Sequence, residues 1–484
     1  MRQTNSQPEN QGLIRNTLAA IVVKFTSPAS MLLLVVAIAH LRTPAVLGEY
    51  TFLVLLVQLA ELLKCMGLNT LVQREAAKFP SDSLRWWKSL VRVGNWGCLF
   101  AAPLLLIAVV ISSHGILSPD SFLTCFVLLP GLWASSYTVS NEALFFGLGR
   151  VSDLAIVTAI ESFARAILSV SALYLLHVSI VGLICIYSLT RVLSALAGGV
   201  LRRRLHLQHA AYNKELTRTI LKESIPFVTV FVVPLVLFRM DILALGLAAT
   251  ASEVGTYSAA SRLFTLALLL PDAAMSTLFA SYSHATVAGK DRFQSLVITS
   301  SNVIVSVATL MGGVAYLAGP FVIEVLFGRQ FGESAPIFRI LIWALPLFAF
   351  SRSFGDALVA LGRQSITATL VACTTIVSIG VYAVLVPRLH GMGAAQGFLS
   401  SAIILAILTG IAFWQIQGIE FYKIAFQLFP VVAAILATTL PVSPFIRTAI
   451  MVAVILTTVA LVLKMIINKR IDMETPQPAE AERS

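Results

Sequence analysis

Charge is scarce in this 484-residue chain: Asp, Glu, Lys and Arg together make up 12% of it, about half the share of a soluble domain. Apolar residues reach 58%, and the mean hydropathy is +0.88. Long polar segments are missing as well. The longest, from Arg202 to Lys222, covers roughly twenty residues, too few to fold alone. A separate soluble catalytic module is thereby excluded.

Cysteine is equally sparse. Cys65, Cys98, Cys125, Cys185 and Cys373 lie in apolar runs without CxxC or Cys/His spacing, so neither a disulfide framework nor a metal site is expected. The chain has no GxxxxGK[ST] phosphate loop, and no cofactor is expected. The apolar run that follows the polar stretch Met1–Gln11 is well over fifteen residues long and reads as a retained first helix.

What is present is hydrophobic length. A bilayer crossing takes about 20 apolar residues, and breaks fall where Gly, Pro and charge cluster. This predicts an all-α polytopic membrane protein with fourteen spans, from Leu13–Leu41 to Pro444–Ile467. With the N-terminus inside, the even-numbered connections carry most of the cations. They include Arg74, Lys78, Arg85, Lys88 and Arg92, then Arg150, Arg202, Arg203 and Arg204, and later Lys290 and Arg363. The odd-numbered connections hold only Arg42, Arg329, Arg388 and Arg447. Cytoplasmic loops retain positive charge, so both termini are expected in the cytoplasm. The net charge of +11 then serves topology and contact with anionic headgroups, with no need for nucleic acid.

An internal repeat is visible. Gly48-Glu49-Tyr50 and Gly255-Thr256-Tyr257 are offset by 207 positions; Leu148-Gly149-Arg150 and Leu361-Gly362-Arg363 are offset by 213. Each pair joins spans six apart, which predicts two six-helix lobes in the same orientation. The expected organisation is a cytoplasmic tail at 1–12, an N-lobe at 13–204 and a linker at 205–219. A C-lobe at 220–417, two further helices at 418–467 and a cytoplasmic tail at 468–484 complete it.

These residues carry a resemblance. Leu47-Gly48-Glu49-Tyr50, Gly67-Leu68-Asn69, Arg74-Glu75, Val254-Gly255-Thr256-Tyr257, Arg262-Leu263, Leu326-Phe327-Gly328 and Leu361-Gly362-Arg363 resemble the polysaccharide transporters of the multidrug/oligosaccharidyl-lipid/polysaccharide exporter superfamily. The likeness runs from about Leu13 to Ile467 and is mostly structural. It implies two lobes about a central cavity, no enzyme activity, and a polyprenyl-pyrophosphate-linked oligosaccharide as substrate, moved to the outer leaflet of the inner membrane for O-antigen or exopolysaccharide assembly. Polysaccharide assembly proteins and membrane lipids are the implied partners. A cation-coupled multidrug exporter and a lipid-II-type flippase share the architecture and stand as alternatives, and a membrane glycan polymerase or ligase is the alternative from another class.

Ionisable residues within spans are costly and mark sites. Glu161 with Arg165, Arg352 with Asp356, and Glu61 with Lys64 lie at helical spacing and are expected to pair. Lys24, Arg191, Arg239 and Arg262 have no acidic neighbour at that spacing; Glu142, Asp241 and Asp272 have no basic one. Guanidinium and ammonium groups suit a pyrophosphate, so Lys24, Arg262, Arg191, Arg239 and Lys64 are the candidate substrate-binding residues. Asp241, Glu142 and Asp272 are the candidate ion-coupling residues.

Overall fold

In the computed structural model, residues 25–65, 67–112, 121–205, 207, 215, 217, 237–439, 448–450 and 452–459 are described. Lys24, most of the linker and the C-terminal tail lie outside them. The described chain is helical. Its elements are α1 (Phe25–Leu41), α2 (Pro44–Cys65), α3 (Leu68–Lys78), α4 (Ser83–Ser112), α5 (Ser121–Gly147), α6 (Val151–Leu175) and α7 (Ile180–Arg203). There follow α8 (Met240–Ala248), α9 (Ala251–Val287), α10 (Lys290–Phe327), α11 (Ser334–Leu341), α12 (Ala344–Ala360) and α13 (Gln364–Gln417), and finally α14 (Phe429–Thr439) and α15 (Thr448–Val459).

Each of the fourteen expected spans contains a described helix. Among the described residues, eight helical stretches are long and apolar enough to cross a membrane, and shorter apolar ones accompany them. The second span breaks at Gly67, which takes the left-handed conformation (φ 74°) before α3. Its polar register, with Arg74 and Lys78 on a short amphipathic turn, accounts for the separation. The tenth span divides into α11 and α12. Along α4 the large apolar side chains Leu99 and Phe100 are exposed, as expected of a face that meets lipid.

Packing divides the chain into two units. The first holds the described residues up to Arg262 with Glu324–Glu333 and Ile379–Ala394; the second holds Leu263–Ile323, Ser334–Ser378 and the described residues from Ala395.

The repeat is written in the backbone. Gly149 and Gly362 both have positive φ, 67° and 74°. Each sits in the same helix cap: Arg150 N–H donates to Phe145 O (2.8 Å) and Gly149 N–H to Phe146 O (3.0 Å), while Arg363 N–H donates to Leu358 O and Gly362 N–H to Val359 O (2.9 Å each). The other marker pair meets face to face within the first unit. A Cβ on Gly48 would collide with the carbonyl oxygen of Ala251, and a Cβ on Gly255 with that of Pro44. Pro44 and Ala251 are offset by the same 207 positions as the glycines, so the α2–α9 crossing is reciprocal, as a local twofold requires. Side chains are excluded there because the two backbones touch.

A third marker escaped the sequence reading. His177 and His390 are the two non-glycine residues with positive φ among those described, at 51° and 49°. They stand 213 positions apart, in the turn between α6 and α7 and at the break within α13. The recurring Leu-His pair, Leu176-His177 and Leu389-His390, was the available signal.

Candidate functional site in the membrane helices

The first unit buries a chain of charges assembled from four helices. Arg191 on α7 is its hub: it bonds Glu61 of α2 at 2.5 Å and Glu161 of α6 at 3.2 Å. Arg165, also on α6, pairs with Glu161 as its helical spacing predicts, and its Nε reaches Thr190 Oγ1 at 3.4 Å. The Tyr187 ring packs beneath both guanidinium groups, 4.5 Å from Arg165 and 5.8 Å from Arg191. Glu142 of α5 lies in the field of Arg191, Glu161 and Glu61, and makes no ion pair or hydrogen bond among the described residues. The cluster thus sets three carboxylates against two guanidinium groups. Arg191 acquires its partners from α2 and α6, which no spacing along α7 could reveal.

Because two glutamates depend on it, Arg191→Ala is expected to destabilise the protein by about 3–5 kcal/mol. Arg165→Ala should cost less, since Glu161 retains Arg191. Thermal unfolding of the detergent-solubilised variants checks this order. The reverse order would contradict it.

Lys64 is almost fully buried. Its ammonium donates to Leu132 O (2.5 Å), Ser135 Oγ (2.5 Å) and Ser136 Oγ (3.0 Å), and α4 passes close beside it at Gly97. It stands in the packing between α2, α4 and α5.

A second cluster of the first unit carries the opposite balance. Asp241 on α8 is buried and accepts a hydrogen bond from Tyr257 Oη at 2.6 Å, and its Oδ1 has no hydrogen-bond partner among the described residues. Arg239 and Arg262 lie in its field, and neither makes an ion pair among the described residues. Arg262 Nε is buried and has no hydrogen-bond partner among the described residues. Two arginines here face one carboxylate. Tyr50, buried and with no hydrogen-bond partner for its hydroxyl among the described residues, feels both Arg165 and Arg262 and so stands between the clusters. It was quoted in the sequence only as a repeat marker; its role as a polar group was missed.

In the second unit, Arg352 pairs with Asp356 as expected, and also with Asp272, both at 2.8 Å. Phe145, Phe348 and Phe350 are buried in helix packing, and Phe146 is exposed. Trp87 packs inside, donating to Asn141 Oδ1 at 2.9 Å with Arg202 stacked 3.7 Å over its ring. Among the described residues no group of acidic, histidine or cysteine side chains is arranged to hold a metal ion.

A family model described as "Polysaccharide biosynthesis protein" matches residues 13–279, more than half of the chain. The chain belongs to that family. No curated protein matches this family member. Among solved structures it is similar to a lipid II flippase MurJ in an inward closed conformation, with a TM-score of 0.71 at 11% identity, covering 94% of this chain and 100% of that one. It is also similar to an inward-facing multidrug resistance MATE family transporter of the MOP superfamily, with a TM-score of 0.63 at 15% identity over 82% and 99% of the two chains. The Vibrio cholerae MATE transporter VcmN gives 0.59 at 14% identity over 87% and 100%. At these identities the likeness is one of fold: this polysaccharide biosynthesis family member has the architecture of membrane flippases and transporters.

Proposed function

We propose that this chain is a transporter, not an enzyme, that moves a polyprenyl-pyrophosphate-linked oligosaccharide from the cytoplasmic to the outer leaflet of the inner membrane by alternating access. The observation that carries the reading is the surplus of positive charge at Arg239 and Arg262, which have no ion-pair partner among the described residues. An arginine in the membrane costs about 2.5–3.5 kcal/mol on insertion scales, a cost that an arriving pyrophosphate offsets. Arg262 and Arg239 would hold the phosphates, joined by Lys24. Arg191 and Lys64 would act from within the packing, keeping the surrounding helices in register.

Coupling would fall to Glu142. Asp272 is engaged by Arg352 and Asp241 by Tyr257, whereas Glu142 is the carboxylate left over when Arg165 and Arg191 have been matched. A cluster with one excess acid takes up a proton or a monovalent cation.

The reading is tested in proteoliposomes with a lipid-pyrophosphoryl oligosaccharide. Arrival of the glycan at the opposite leaflet without ATP is expected. Transport of cationic drugs in its place would favour the exporter reading.

Orientation follows from the loop charges. Reporter fusions after Arg204 and after Ile471 are expected to read cytoplasmic, and one near His390 external. An external reading at Arg204 would overturn the arrangement.

A further inference from the structure

One end of the first unit is tied together by polar contacts between its turns. Arg42, in the turn before α2, donates to the carbonyl oxygens of His177 and of Val178, the latter at 2.9 Å. Gln330 donates to the carbonyl oxygens of Ala39 and of Arg42, the latter at 3.1 Å. At the repeat-related place, Glu253 in the first turn of α9 accepts from Thr250 N–H and Oγ1 at 2.9 and 3.0 Å, and His390 Nδ1 stands 3.5 Å from its other oxygen. Glu253 lies two residues before Gly255, at the mouth of the α2–α9 crossing.

The two histidine turns share a left-handed backbone but are held by different chemistry. The His177 turn is held by the fixed charge of Arg42 on carbonyl groups. The His390 turn is held through its own imidazole. A histidine bonds a carboxylate as an ion pair only when protonated, and it is the side chain whose charge ordinarily changes between about pH 5 and 8. At φ 49° and ψ −125° His390 holds a backbone conformation that glycine adopts freely, so His390→Gly deletes the imidazole and keeps the turn.

We propose that His390 and Glu253 form a proton-operated latch between the break in α13 and the first turn of α9, made when His390 is protonated and released when it is neutral. Glu253 is the charged group within ion-pair distance of His390 among the described residues; Arg388, two residues before it on α13, is the nearest other charge in sequence. Fixed at the His177 turn and titratable at the His390 turn, this end of the unit loosens at its α9–α13 contact as the pH at this face rises. Which compartment that face samples rests on the orientation proposed above: with the N-terminus inside, it is the external one.

The test is hydrogen–deuterium exchange of the full chain in nanodiscs, where both faces meet one buffer, so the latch is examined independently of orientation. After correction for intrinsic rates, amides of 249–256 and 386–394 are expected to be better protected at about pH 5.5 than at about pH 7.5. The difference should reach at most about 5-fold, the range of a partly exposed ion pair. The 172–180 segment, held by Arg42, is the internal control and should show no such change. Glu253→Gln and His390→Gly should both remove the difference, and the glycine accepts φ 49° and so preserves the turn. Equal protection at the two pH values in the unaltered protein, or a difference that survives Glu253→Gln, would overturn the latch.

Discussion

Replacing Gly48 with alanine is expected to abolish transport and to loosen the α2–α9 crossing. The added methyl group would collide with the Ala251 carbonyl oxygen, and Gly255 N lies 2.9 Å from the same point. A side chain can rotate away; a helix backbone cannot. Overpacking ordinarily costs about 1–3 kcal/mol, and a clash against backbone belongs at the upper end. Gly255→Ala should act alike, since its methyl group would meet the Pro44 carbonyl oxygen. Both changes push on one contact, so the double variant should be less impaired than the sum of the single ones. The check is glycan export together with exchange of amides 44–52 and 249–259. Normal export and unchanged protection in Gly48→Ala would mean that the crossing is not a working closure.

Arg262→Ala is expected to abolish glycan export while the protein still accumulates in the membrane. Arg262 has no ion pair among the described residues, so its removal strands no carboxylate, in contrast to Arg191. Its loss also relieves an unpartnered buried Nε and the repulsion from Arg239. Arg262→Lys should retain partial activity, because the charge remains although the forked geometry is lost. The measurement is surface glycan set against protein level in the membrane fraction. A fall in protein level matching the fall in export would make Arg262 a packing residue.

The fold was readable from the sequence because its causes are local. Apolar length sets the spans, and glycine marks the cap at Gly149 and Gly362 where only a left-handed residue closes the helix. The meeting of Gly48 with Gly255 was not readable, although both were singled out, because which helices touch is a tertiary fact. The same limit governed the charges. Spacing along a helix identified Glu161 with Arg165 and Arg352 with Asp356, but Arg191 finds Glu61 some 130 positions away and Asp272 finds Arg352 80 positions away. Lys64 reads as a membrane cation in sequence and proves to be satisfied by a carbonyl and two serine hydroxyls on α5. Polar backbone and hydroxyl partners leave no charge pattern to read.

The central claim, that Arg239 and Arg262, without an ion pair among the described residues, receive a pyrophosphate, is tested most directly by binding. Native mass spectrometry of the purified chain would compare a short polyprenyl pyrophosphoryl glycan with the corresponding monophosphoryl lipid. The pyrophosphate form should bind at least about 10-fold more tightly, the contribution of one charged hydrogen bond, and Arg262→Ala should erase that preference. Equal binding of the two lipids, or a preference untouched by Arg262→Ala, would contradict the account.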